Sequence, residues 1–205
     1  MRDIAFDEVI HSEFRYSVID YGIIYGSNTI VFIKAGQDGS MCGYKNKYLR
    51  IAIDINDKYG YTVICSSNPF DGINPLDNAM DVINSYCNNK GYNDYEIYYM
   101  GHSAGGLIGL WFGVNYPKIK RILSINAPLM YNYHKTKDGI KRFKGDRLVL
   151  VYGSLDQSIN YTELVKPLES DIIKLVIIEG EDHHFSRDDG DFYSLPFEYL
   201  LASQG

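Results

Sequence analysis

The sequence has little cysteine and little proline: three cysteines, Cys42, Cys65 and Cys87, and six prolines in 205 residues. An odd number of thiols outside any CxxC pattern excludes a disulfide framework and zinc-finger spacing, and predicts the reduced thiols of a cytoplasmic protein. Basic runs are missing too. With 20 Lys and Arg against 26 Asp and Glu, the net charge of −6 leaves no electrostatic footprint for nucleic acid or an anionic membrane. No apolar run approaches the roughly 20 residues of a membrane span. The first ten residues hold Asp3, Asp7 and Glu8 and no apolar core, so no signal peptide is expected. No repeat, low-complexity tract or Pro/Gly/Ser linker divides the chain, and a single domain over 1–205 is expected. A chain this long hides roughly 70% of its surface on folding and needs no metal or disulfide to hold a core.

What is present is alternation. Short β-branched and apolar runs recur at 29–33 (TIVFI), 61–65 (YTVIC), 95–100 (YEIYYM), 119–125 (IKRILSI), 147–152 (RLVLVY) and 172–178 (IIKLVII). Runs of this kind read as strands buried on both faces. Between them apolar residues recur at helical spacing: Leu49, Ala52, Ile55 and Tyr59; Leu76, Met80, Ile83 and Cys87; Leu107, Ile108, Trp111 and Val114. Pro75 suits a helix start and Gly91 a helix end, and 192–202 forms a last helix. The fold class is therefore α/β, a doubly wound, mainly parallel sheet with helices on both faces. The opening segment 14–25, broken at Gly22, has the alternation of an antiparallel hairpin.

One motif carries chemistry. The strand YEIYYM runs into Gly101-His102-Ser103-Ala104-Gly105-Gly106, and the helix LIGLWFGV follows at once. This is GxSxG in its strand–turn–helix setting, which puts Ser103 at the apex of a strained turn with glycines two residues away on either side. The helix behind it adds backbone N–H groups and a positive dipole end that favour an oxyanion. A phosphate-binding turn is the alternative. The dinucleotide fingerprint fails because its central glycine is Ser103, and a P-loop fails because no Gly-Lys-Ser/Thr ends the turn.

With that motif the sequence resembles the α/β-hydrolase family, from Phe14 to Leu201. The family places an acid after a later strand and a histidine after the last. Gly153-Ser154-Leu155-Asp156 resembles its acid loop and Glu179-Gly180-Glu181-Asp182-His183-His184-Phe185 its histidine loop. The resemblance implies Ser103 as nucleophile, His183 as base and Asp156 as the residue that orients it, with Glu163 in reserve. His183 rather than His184 follows from the family's glycine, acid, histidine spacing, with Phe185 anchoring the loop. The acids and histidines from Glu181 to Asp191 match neither HExxH nor an EF-hand, so no metal is assigned. His102 reads as packing, and Cys42 as an idle thiol near the site.

The resemblance also implies two backbone oxyanion donors, Ala104 and one residue from Ala35 to Gln37, preferably Gly36. The family usually shows His-Gly where this chain has Lys34-Ala35. Only about 21 residues separate the strand ending near Ile125 from that starting at Arg147, too few for a large cap, which implies an open cleft. Phe70, Met130 and Tyr131, with Tyr133, are the expected pocket walls. The implied activity is hydrolysis of a small carboxylic ester or thioester through an acyl-enzyme, with no cofactor. A non-catalytic binding protein on the same fold and an acyltransferase using the same residues are the rival readings.

Overall fold

The computed structural model describes residues 4–70 and 73–202. The chain opens with an antiparallel hairpin of β1 (Glu8–Phe14) and β2 (Ser17–Ile24). It starts six residues before the predicted segment, and Gly22 lies inside β2 rather than at a break. The ring of Phe6 explains the glycine: a Cβ at Gly22 would come within 2.4 Å of it. The turn falls instead at Arg15, which adopts φ 56°.

Six further strands follow: β3 (Ser27–Lys34), β4 (Tyr61–Ser66), β5 (Glu96–His102), β6 (Ile119–Ile125), β7 (Arg147–Gly153) and β8 (Ile173–Ile178). These six pair in parallel, β2 joins β4 antiparallel, and the sheet order is β1-β2-β4-β3-β5-β6-β7-β8. The expected mainly parallel sheet is present. Its middle strands are buried on both faces as predicted, but β8 is an edge strand and half-exposed, because no ninth strand covers it among the described residues.

Period-two alternation divides the core. On β3, Ile30 and Phe32 face one side while Val31 and Ile33 face the other; Ile97 and Tyr99 oppose Tyr98 and Met100 on β5. The first side receives α2 (Leu76–Lys90), α3 (Ala104–Trp111) and α4 (Tyr133–Arg142). The second receives α1 (Lys47–Tyr59) and, after the short α5 (Thr162–Val165) near the sheet's far edge, α6 (Asp189–Leu195). Each fully buried Ile, Val, Leu or Phe side chain contributes about 1.5–3 kcal/mol relative to exposure. The last helix differs from the expected 192–202. It ends at Leu195 because Pro196 lacks an N–H, and a wider π turn over Pro196–Leu200 follows.

The chain leaves β3 toward β4 on one side and later builds β6, β7 and β8 on the other side of β5. The order therefore reverses between β3 and β5, and open α/β sheets form their sites at the carboxyl ends of such a pair. No described helix is long and apolar enough to cross a membrane.

Candidate active site

Ser103 follows β5 directly and has φ 55° and ψ −123°, a conformation outside the usual regions for a residue with a Cβ. The turn is tight enough that a Cβ on Gly101 would meet the Gly105 backbone at 2.4 Å, and one on Gly105 the Lys34 carbonyl at 2.3 Å. Only glycine allows β5, the start of α3 and the end of β3 to approach this closely. The Ser103 amide donates to the Ile125 carbonyl at 2.8 Å, which ties the turn to β6.

The structure brings all three sequence-named side chains into one hydrogen-bonded row. His183 Nε2 lies 2.9 Å from Ser103 Oγ, and its Nδ1 lies 2.5 Å from Asp156 Oδ2. A carboxylate accepting from Nδ1–H leaves the Nε2 lone pair to accept from the Ser103 hydroxyl. The other Asp156 oxygen accepts from the Ser158 amide at 2.6 Å, so both oxygens of this buried acid are engaged. Glu163 lies elsewhere, exposed and 3.7 Å from Lys166.

His183 and His184 diverge as consecutive residues of a loop do. His184 is exposed and its ring stands edge-on to that of His183, with centroids 5.2 Å apart. The loop is built by its neighbours. Asp182 Oδ1 accepts from the amides of His184 (2.9 Å) and Ser186 (3.0 Å), and Phe185, fully buried at φ 58°, packs edge-on against Phe192. Glu181 is also fully buried. It accepts from Arg187 Nε at 3.0 Å and from the Arg187 and Asp188 amides.

Two residues that sequence reasoning missed or undervalued hold these loops together. Asn126, just past β6 with φ 47°, accepts from the Gly153 amide at 2.9 Å through Oδ1. Its Nδ2 donates to the carbonyls of Asp182 and His183, both at 3.0 Å. One buried amide thus joins the acid loop to the histidine loop. His102 Nε2 also donates to the His183 carbonyl, at 2.9 Å. A carbonyl can only accept, so His102 carries its proton on Nε2. Burial and then the nearby Lys47 push its pKa down to about 3, and the ring stays neutral. His102 is packing, as expected, but packing aimed at the backbone of the histidine beside Ser103.

Lys34 stands where the resembled family has histidine. It is fully buried, donates to Ser66 Oγ (2.9 Å) and the Ser67 carbonyl (2.6 Å), and burial lowers its pKa to about 7. Asn68, alongside, donates from Nδ2 to the Ala35 carbonyl, and its backbone carbonyl accepts from the Asp38 amide. The loop from Ala35 to Gly39 is shaped by these bonds. Gly36 lies against Ser103, where an added Cβ would sit 3.3 Å from the serine Cβ, and its amide neighbours the Tyr48 hydroxyl; Gln37 lines the cleft.

The cleft beside Ser103 is small, about 190 Å³, with Phe70, Leu107, Pro128, Met130 and Tyr131 on its apolar part and Gln37, Gln157 and Ser158 on its polar part. Three of the four expected wall residues are therefore at the cleft. Tyr133 is not: its hydroxyl donates to the Leu164 carbonyl. The segment between β6 and β7 holds only α4, which packs against α3, and a Cβ on Gly139 would collide with the Leu110 carbonyl. Cys42 is half-buried, and burial raises its thiol pKa, the reverse of what a nucleophilic thiolate needs. Among the described residues, no group of three or more His, Cys, Asp or Glu could hold a metal ion.

No protein-family model matches this sequence, and no curated protein is similar to it by sequence. Solved structures are similar in fold. An α/β serine hydrolase homologue from Coxiella burnetii superposes with a TM-score of 0.71 at 14% identity, covering 93% of this chain and 95% of that one. An α/β serine hydrolase without a lid, from Xanthomonas campestris, gives 0.70 at 13% identity over 96% of both chains. A dienelactone hydrolase from Anabaena variabilis gives 0.66 at 15% identity over 94% of this chain and 97% of that one. This chain has the α/β-hydrolase fold, in a small form matched over nearly its full length by an enzyme without a lid.

Proposed function

We propose that this protein is a serine hydrolase of small carboxylic esters or thioesters that works through an acyl-enzyme. The observation that carries the reading is the row Ser103 Oγ, His183 Nε2, His183 Nδ1, Asp156 Oδ2, with contacts of 2.9 and 2.5 Å, opening on a cleft at the amino end of α3. Ser103 Oγ bonds to the substrate carbonyl carbon while its proton passes to His183 Nε2. The oxyanion is met by the Ala104 amide and by an amide from Gly36–Gln37. The ester C–O bond then breaks, and the leaving oxygen or sulfur takes the proton from His183. Water attacks the acyl carbon, gives its proton to His183, and the acyl–Oγ bond breaks with that proton returned to Ser103. Asp156 holds the imidazole tautomer and balances its transient charge. No step calls for a cofactor.

The size of the cleft supports a short acyl group, since about 190 Å³ of space accommodates only a few carbons. The test is p-nitrophenyl acetate hydrolysis by wild-type and Ser103→Ala protein. The expected result is turnover that falls by roughly five orders of magnitude in the variant, with an unchanged circular dichroism spectrum. Wild-type turnover that survives the substitution contradicts the assignment, and a wild-type protein inert to esters and thioesters alike favours a binding role.

A further inference from the structure

Ser103 and His183 open on a second hollow besides the small cleft. A cavity of about 240 Å³ runs from Ser103, His183 and Gly36 past Tyr48 and Lys47. It meets a larger one, about 560 Å³, sharing Tyr44, Lys47 and His184 with it and adding Lys45, Arg50 and Phe192. Three basic side chains, Lys45, Lys47 and Arg50, therefore border one continuous hollow. Among the described residues no carboxylate lines either part, although acids outnumber bases 26 to 20 in the chain. The charge of the described lining residues is opposite in sign to that of the whole chain.

Aromatic faces accompany the cations. Lys47 Nζ lies 4.1 Å from the Phe192 ring centre, and Lys45 Nζ lies 5.2 Å from that of Tyr44. Tyr44 is 77% exposed and is carried by a turn in which Gly43, Lys45 and Asn46 all have positive φ (70°, 51° and 61°). Two of these residues bear a Cβ, so the turn holds backbone strain in order to stand Tyr44 and Lys45 at the mouth.

We propose that the leaving group of the substrate carries an anionic substituent, a carboxylate or a phosphate, which this basic and aromatic hollow seats while the short acyl group enters the small cleft. The proposal rests on the hydrolase reading and adds to it the substrate class. Ser103 and His183 border both spaces, so His183 can hand its proton to a leaving atom whose substituent lies in this hollow, and the cations that would hold an anion lie on this side. An anion on the acyl part would have to enter the small cleft, where the described lining residues include the Asp156 carboxylate but no Lys or Arg.

The test compares kcat/KM for phenyl acetate, 4-acetoxybenzoate, 4-acetoxyphenyl phosphate and monophenyl succinate, the last bearing its carboxylate on the acyl side. The expected result is a roughly tenfold advantage of at least one of the two leaving-group anions over phenyl acetate, with monophenyl succinate disfavoured. That advantage shrinks in 0.5 M salt and collapses to a ratio near one in Lys45→Ala/Arg50→Ala protein. The two leaving-group anions tell carboxylate from phosphate recognition. Calorimetry on Ser103→Ala protein with benzoate and phenyl phosphate reads the hollow without turnover, and binding lost in the triple variant is expected. A wild-type ratio near one, or a ratio unmoved by the double substitution, overturns the proposal while leaving ester hydrolysis intact. Absence of all ester turnover with anion binding retained refutes the hydrolase reading instead, and absence of both refutes the two together.

Discussion

The two walls of the cleft are built on different principles. On one side Asp156 and His183 stand on loops whose polar groups are buried and matched: Asn126 spans both loops, His102 and Asn126 share the His183 carbonyl, and Glu181 is enclosed by Arg187 and two amides. On the other side the turn carrying Tyr44, Lys45 and Asn46 is exposed and strained, and its polar groups face solvent. Buried, satisfied networks fix atoms to a fraction of an ångström, which proton transfer over 2.9 Å demands. Recognition of a charged substituent tolerates looser geometry and gains from accessible cations. On the proposed reading, the two walls divide the chemistry from the selection of substrate.

The largest expected break in this comparison is Asp156→Asn, which keeps the shape of the first wall but favours the wrong imidazole tautomer. It is expected to lower kcat by roughly 10⁴ with KM little changed, measured on p-nitrophenyl acetate. Next is Asn126→Gly, which tolerates the φ of 47° but leaves the Gly153 amide without its acceptor and takes one donor from each of the Asp182 and His183 carbonyls, which keep only the Phe185 amide and His102, respectively. A loss of about 2–4 kcal/mol in urea unfolding is expected, together with a ten- to hundredfold fall in kcat.

The first wall was only partly legible in the sequence. GHSAG, GSLD and GEDHHF announce themselves because each is a local string in a strand–loop setting, and their order along the chain matches one fold. Asn126 lies in SINAP, a string with no signal of its own. Its role exists only because β6, β7 and β8 bring residues 126, 153 and 182–183 together. The helix α4 was unread for a similar reason: only Thr136, Gly139 and Ile140 of its ten residues are buried, too few to show a helical period. The early start of the hairpin was hidden by the exposed, mixed alternation of β1, where polar and apolar residues take turns on an edge strand. The hollow at Lys45, Lys47 and Arg50 had no periodic pattern either, since it depends on α6 laying Phe192 beside α1.

A smaller effect sharpens the electrostatic side of the first wall. His102 is held neutral in the fold, with its pKa lowered from 6.5 to about 3, so between these values the unfolded chain binds a proton that the folded chain does not. Its contribution makes stability fall as the pH drops from about 6.5 toward 3, and it has no pH dependence above that window. His102→Gln, which keeps an N–H donor without the titration, is expected to lose less melting temperature than wild type between pH 7 and pH 4. Equal losses in the two proteins contradict this. The smallest expected effect is on the second wall: Tyr44→Ala changes folding stability by less than about 0.5 kcal/mol, since the ring is mostly solvent-exposed, while raising KM for the anionic esters.

The central claim is that Ser103 is made nucleophilic by His183 and by no other neighbour. Its most direct measurement is the rate at which a fluorophosphonate modifies wild-type, His183→Ala and His184→Ala proteins, with the modified residue located by peptide mass spectrometry. The account predicts a single adduct on Ser103, formed roughly a thousandfold or more slowly without His183 and at nearly the wild-type rate without His184. An adduct on another residue, or a His184 variant that is as slow as the His183 variant, contradicts it.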